Sequence, residues 1–163
     1  MVSLSFILTK RTGNLYKCVE PDPADMGFIG AGFIGGRAEA VRQAINKSTK
    51  ALEACAATEE GGKLTQEQVE TILKHVEEKL YLLLDGLKRI SAVHYNRFCE
   101  LGMGLPGIVK IALGWIETST KKWLQALKEV NSSAQLEGRI ASLNDRLLTE
   151  IAKALNVYKG IAV

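Results

Sequence analysis

The spacing of hydrophobic positions changes once along this chain. In residues 2–19 it has a period of two: Val2, Leu4, Phe6 and Leu8 alternate with Ser3, Ser5 and Thr9, and Thr12-Gly13-Asn14 separates this run from the apolar LYKCV. Alternation around a turn sequence predicts a β-hairpin. A lone two-stranded hairpin is marginal in water, so it is expected to lie on the rest of the molecule or to lend its edge to another chain.

From EPDPAD onward the period becomes helical. Asp22 is suited to cap free amides, Pro23 fits a first helical position and Asp25 puts a carboxylate in the first turn, which predicts a helix over residues 23–58 closed by Gly61-Gly62. Thr65-x-x-Gln68 has the form of a capping box and opens the most regular segment. There Val69, Leu73, Val76, Leu80, Leu83, Leu87 and Ile90 recur at alternating steps of four and three, with His94, Phe98 and Leu101 extending the seam. LGMGLPG ends that helix near residue 101, and Pro106 begins another, residues 105–130, with Ile108, Ile111, Ala112, Trp115, Ile116, Trp123, Leu127 and Val130 as its apolar positions. A second capping box, Ser132-x-x-Gln135, introduces residues 133–158, in which Leu136, Ile140, Leu143, Leu147, Ile151, Ala154 and Tyr158 keep a heptad-like spacing. The predicted fold is all-α: an antiparallel bundle of about four helices, residues 23–163, behind a hairpin or extended arm of residues 1–22.

Composition narrows the function classes. The 163 residues and 47% hydrophobic content fit one domain with a sizeable core. Lys and Arg total 21 and Asp and Glu 18, interspersed without a long run, so no nucleic-acid footprint is expected. Cys18, Cys55 and Cys99 are far apart and odd in number, which argues against a disulfide framework or a zinc site and for reduced, buried thiols in a reducing compartment such as the cytoplasm. The N-terminal run has no basic region ahead of it and no window is long enough for a transmembrane helix, so neither a signal peptide nor a membrane span is expected.

One stretch, MGFIGAGFIGG at residues 26–36, admits three readings. Gly30-x-Gly32-x-x-Gly35, with MGFI before it and RAEAVRQAI after it, resembles the first strand-turn-helix of nicotinamide-dependent reductases and epimerases, and that resemblance implies a dinucleotide bound on the three glycines. It covers about twenty residues, and no further strand-helix units follow it. Read instead as part of one long helix, Gly27, Ala31 and Gly35 lie four apart with Gly32 and Gly36 beside them, a small-residue face that lets two helix backbones come close. Phe28, Ile29, Phe33 and Ile34 fill the rest of the segment. Glycine at five positions of one helix disfavours it by about 4–5 kcal/mol relative to alanine, so close packing against another helix, within the bundle or across a subunit interface, is expected to offset that cost. The third reading is insertion into lipid, since the stretch is similar in composition to viral fusion peptides and to the apolar first helices of membrane-targeting bundles.

Catalytic chemistry has little to draw on. His75 and His94 are separated by a long helical stretch, and His94 falls on the seam, where a core or boundary histidine is expected. No Glu-x-x-His pair exists, Glu77-Glu78 and Glu59-Glu60 are adjacent and point apart on a helix, and no Ser, Cys or Lys has an activating neighbour in sequence. The expectation is therefore a non-enzymatic protein without catalytic, metal or cofactor residues. It would act by association with a helical partner or a second copy through residues 27–36, or at a membrane surface through residues 26–36.

Overall fold

The computed structural model describes residues 28–102 and 104–161. The expected hairpin, the helix start at Asp22-Pro23, Cys18 and Gly27 lie outside them. The described chain is mostly helical, as expected: α1 is Phe28–Ala57, α2 Gln66–Lys88, α3 Tyr95–Leu101, α4 Leu105–Val130 and α5 Ala134–Val157. A five-residue π turn, Arg89–Val93, joins α2 to α3, and a short 3-10 turn, Glu60–Gly62, lies between α1 and α2. The expected helix over residues 65–101 is thus two helices with a π turn between them.

Local chemistry explains most of the boundaries. Thr65 and Gln68 form the expected box: Gln68 N–H donates to Thr65 Oγ1 at 3.3 Å, and Thr65 N–H donates to Gln68 Oε1 at 2.7 Å. The second box does not form. Ser132 Oγ instead donates to the Leu64 carbonyl at 2.6 Å, and Ser133 takes the cap position without a side-chain capping bond, its hydroxyl donating to Gln66 Oε1 at 3.2 Å and its N–H to Asn131 Oδ1 at 3.1 Å. A tertiary acceptor has drawn the Ser132 hydroxyl away from the helix N–H it would have capped. Before α4, Gly102 and Gly104 have φ of 65° and 70°, a region that side-chain-bearing residues rarely adopt. The LGMGLPG stretch thus ends α3 and runs into the first residues of α4, as expected.

Helix directions follow from the core. One cluster joins Leu52 and Ala56 of α1, Val69, Ile72, Leu73 and Leu80 of α2, Trp123, Leu124, Leu127 and Val130 of α4, and Leu136, Ile140, Leu143 and Leu147 of α5. The other joins Val41, Leu87, Phe98, the stretch of α4 from Leu105 to Ile116, and Ile151, Ala154 and Tyr158. So α1 and α4 run one way, and α2 and α5 the other. The most extensive helix contact is between α1 and α4, followed by α4 with α5 and α2 with α5. At the end where α1 and α4 finish, Leu64 and Asn131 form a parallel bridge, with Leu64 N–H donating to the Val130 carbonyl at 2.8 Å. These two loops are thereby stitched together.

The α2 seam is largely spent inside the chain. Val69, Leu73, Leu80 and Leu87 are buried, and Val76, Leu83 and Ile90 are partly buried against the same clusters. All seven apolar positions read in α5 and its C-cap are buried. In α4 the expectation fails at two places: Ile111 is 37% and Trp115 44% exposed, while Ser119 and Thr120 are buried. The thiols differ from expectation as well, Cys55 being partly buried and Cys99 exposed.

The α1–α4 contact contains a buried polar bond: Trp123 Nε1–H donates to Ser48 Oγ at 3.0 Å, with Ser48 1% exposed. Ser48→Ala leaves the indole N–H without a partner in the core, an expected loss of about 1–3 kcal/mol. Urea unfolding followed by tryptophan fluorescence measures it, and a change below about 0.5 kcal/mol, the range of ordinary surface substitutions, would show that the bond contributes little.

Candidate functional site

The residues singled out at 28–36 lie inside α1. Its helix begins at Phe28 and continues without a break through Gly30, Ala31, Gly32, Gly35 and Gly36 to Ala57. The fingerprint reading needs a strand followed by a turn at Gly30–Gly35; these residues are continuous helix. Because α1 runs beside α4 in the same direction, the glycine-rich turns sit at the bundle end where α4 begins, opposite the stitched loops.

Just past them, charge returns to α1. Glu39 accepts from Arg42 Nη2 and Nε at 2.5 and 2.6 Å and from Gln43 Nε2 at 2.9 Å. The Arg42 hydrogen bonds, then Gln43, hold the Glu39 carboxyl down at about 2. This is a half-exposed pair on one helix and fixes no core element.

The first half of α4, from that end towards the middle of the helix, exposes apolar surface. Ile111 and Trp115 are one turn apart on the outer side of α4, and Ile108, one turn earlier, is partly buried. Trp115 and Trp123, expected on similar sides of this helix, are divided: Trp123 is 5% exposed and bonded to Ser48. Eight residues of helix rotate a side chain by about 80°, enough to carry one indole into the core and the other out of it.

A concavity of about 540 Å³ lies between α4 and α5. Lys121 and Lys128 form one wall, Glu137 and Asp145 the other, over a floor that includes Leu124, Ile140 and Leu148. Lys121 is engaged with Glu117 at 2.7 Å on its own helix. The groove has mixed charge and is open along the helices. Among the described residues, no group of three His, Cys, Asp or Glu side chains is placed to hold a metal ion, and no helix is long and apolar enough to cross a membrane.

Two buried hydroxyls, one beside α3 and one on α1, carried no obvious sequence signal. Tyr158, fully buried, donates through its hydroxyl to the Ile90 carbonyl at 2.7 Å and meets the Tyr95 ring edge-on at 5.1 Å. Burial pushes the Tyr158 hydroxyl pKa far above the ordinary phenol range. Ser48 stands on the inward stripe of α1 with Val41, Ile45, Leu52 and Ala56, a lone hydroxyl among apolar positions. That is the pattern that could have marked it as someone's acceptor.

No model of a known protein family matches the chain, and no curated protein or solved structure shows significant similarity to it.

His94 offers a measurable handle on this end. Its ring lies 5.8 Å from that of Phe98, and partial burial, then the nearby Arg89 charge, lower its pKa below the ordinary 6.5. A histidine with a lowered folded-state pKa takes up protons more readily when unfolded, so stability falls as pH drops below about 6.5. The unfolding midpoint is expected to decrease between pH 7.5 and 5, and His94→Gln to reduce that slope. An unchanged slope in the variant would assign the pH dependence to other groups.

Proposed function

We propose that this is a non-enzymatic helical protein that works by association, built as an antiparallel four-helix bundle behind an N-terminal β-hairpin or extended arm. Its contact surface is the bundle end formed by the glycine-rich turns of α1 and the outer side of early α4. A second copy or a helical partner packs there. The observation that carries this reading is where apolar surface remains. The inward faces of α2 and α5 are consumed by the core, while Trp115 and Ile111 stay partly open to solvent beside one another. Tryptophan is enriched at association surfaces because it combines a large apolar area with a polar N–H. Gly32, Gly35 and Gly36 with Ala31 add small residues to the helix at the same end, a composition that lets another helix backbone approach closely.

A second reading keeps the surface and changes the partner to lipid. It is favoured by the uncharged run of residues 26–36 in sequence, at the same end as the exposed Trp115, a residue type that settles at membrane interfaces.

Static light scattering over a wide concentration range tests the first reading. A mass rising above the 17.8 kDa of one chain is expected for self-association, and Trp115→Ser with Ile111→Ser should weaken it by about tenfold or more. Gly32→Leu, which adds bulk to the small-residue face, should do the same. A chain that stays monomeric throughout argues against self-association. Co-sedimentation with anionic vesicles, lost in the Trp115 variant, would favour lipid.

A further inference from the structure

In a regular α-helix the His94 N–H would bond to the Ile90 carbonyl, four residues back. Here it donates to Arg89 at 2.9 Å, five residues back, which closes the π turn. The Ile90 carbonyl is thereby released from that helix bond, and the Tyr158 hydroxyl takes the place of the missing donor at 2.7 Å. Tyr158 is fully buried and, like any buried phenol, requires a partner. Among the described residues, no buried side-chain nitrogen or oxygen lacks one. The π turn and this tyrosine each satisfy a need the other creates.

The turn that carries Tyr158 is itself held. Lys110 of α4 donates from Nζ to the Ile161 carbonyl at 2.7 Å and to the Lys159 carbonyl at 3.4 Å, placing a cation at the end of α5, where free carbonyls gather. Residues 158–161 are thus tied to α4 on one side and to the π turn on the other.

We propose that residues 158–161 act as a clasp that selects the π register of the α2–α3 rod and so sets the rotation of α3. Shifting from π to α register turns everything beyond the turn by about 100° relative to α2. In the observed register Phe98 is 3% exposed in the core and Tyr95 packs on Tyr158. In the other register Phe98 leaves its pocket, and the Gly102–Gly104 connection that launches α4 has to follow. Lys110 and Ile111 share one turn of α4 on faces about 100° apart, so the clasp grips the helix at the level of that exposed residue. Its closure controls the shape of that end whether or not the end binds a partner.

Hydrogen exchange on the full chain tests the clasp. Tyr158→Phe keeps the ring and removes only the hydroxyl. Exchange across residues 89–98 is expected to accelerate by about tenfold or more beyond any change in residues 119–147. A uniform change across both segments would overturn the proposal, because it would make Tyr158 an ordinary core residue. A double-mutant cycle supplies the second readout: deleting the exposed Ala92 removes the extra residue and lets the rod continue as α-helix. In that background Tyr158→Phe should no longer lower the urea midpoint. A midpoint shift as large as in the unmodified chain would also overturn the proposal.

Discussion

The structure depends on α4 being enclosed from two sides at once. It has α1 along one flank and α5 along the other, and more than half of its length is buried, from Leu105 to Val130. Burial over so wide an arc has consequences for its residue types. Ala112, Ser119 and Ala126 recur at steps of seven on the buried side, where small residues permit close approach, and Trp123 lies between Ser119 and Ala126 in sequence with its indole N–H committed to Ser48. The apolar burial is non-directional, but the Trp123–Ser48 bond is not, and it fixes how far α1 can slide along α4.

The same enclosure explains which parts of the fold were legible in the sequence. α5 bears one apolar stripe, so a single period identifies its buried positions through Tyr158. α4 has neighbours on two flanks, and its apolar residues spread over too much of the helix for periodicity to separate buried from open. Ile111 and Trp115 look like core positions for that reason. Ser119 and Thr120 are the converse: polar residues that the wide arc encloses. The Ser132 box failed because a competitor, the Leu64 carbonyl, belongs to a loop 68 residues away and has no trace in the local sequence.

The π turn did leave a trace, though a small one. Down α2 the seam steps by four and three in alternation, yet Ile90, His94 and Phe98 follow one another by two successive fours. A repeat interrupted in this way must be accommodated by a change in winding, and the structure absorbs it with one wider turn. For the glycine-rich stretch, local pattern could choose a helix over a nucleotide-binding turn only by appeal to the long helical run behind it. Nothing in those eleven residues says what covers them, because close packing and lipid insertion demand the same small, uncharged side chains.

The bridge between Leu64 and Asn131 gives the molecule a mechanical polarity. Two loops are fused by main-chain and hydroxyl hydrogen bonds at one end, whereas at the far end the ties between helices run through side chains, from Lys110 to the Lys159 and Ile161 carbonyls and from Tyr158 to the Ile90 carbonyl. Any separation of the helices therefore opens like a pair of tongs, with the pivot at the fused loops and the widest travel at the jaws. Those jaws carry the glycine-rich turns of α1, Ile111 and Trp115. A small angular change at the pivot becomes a large displacement at that end.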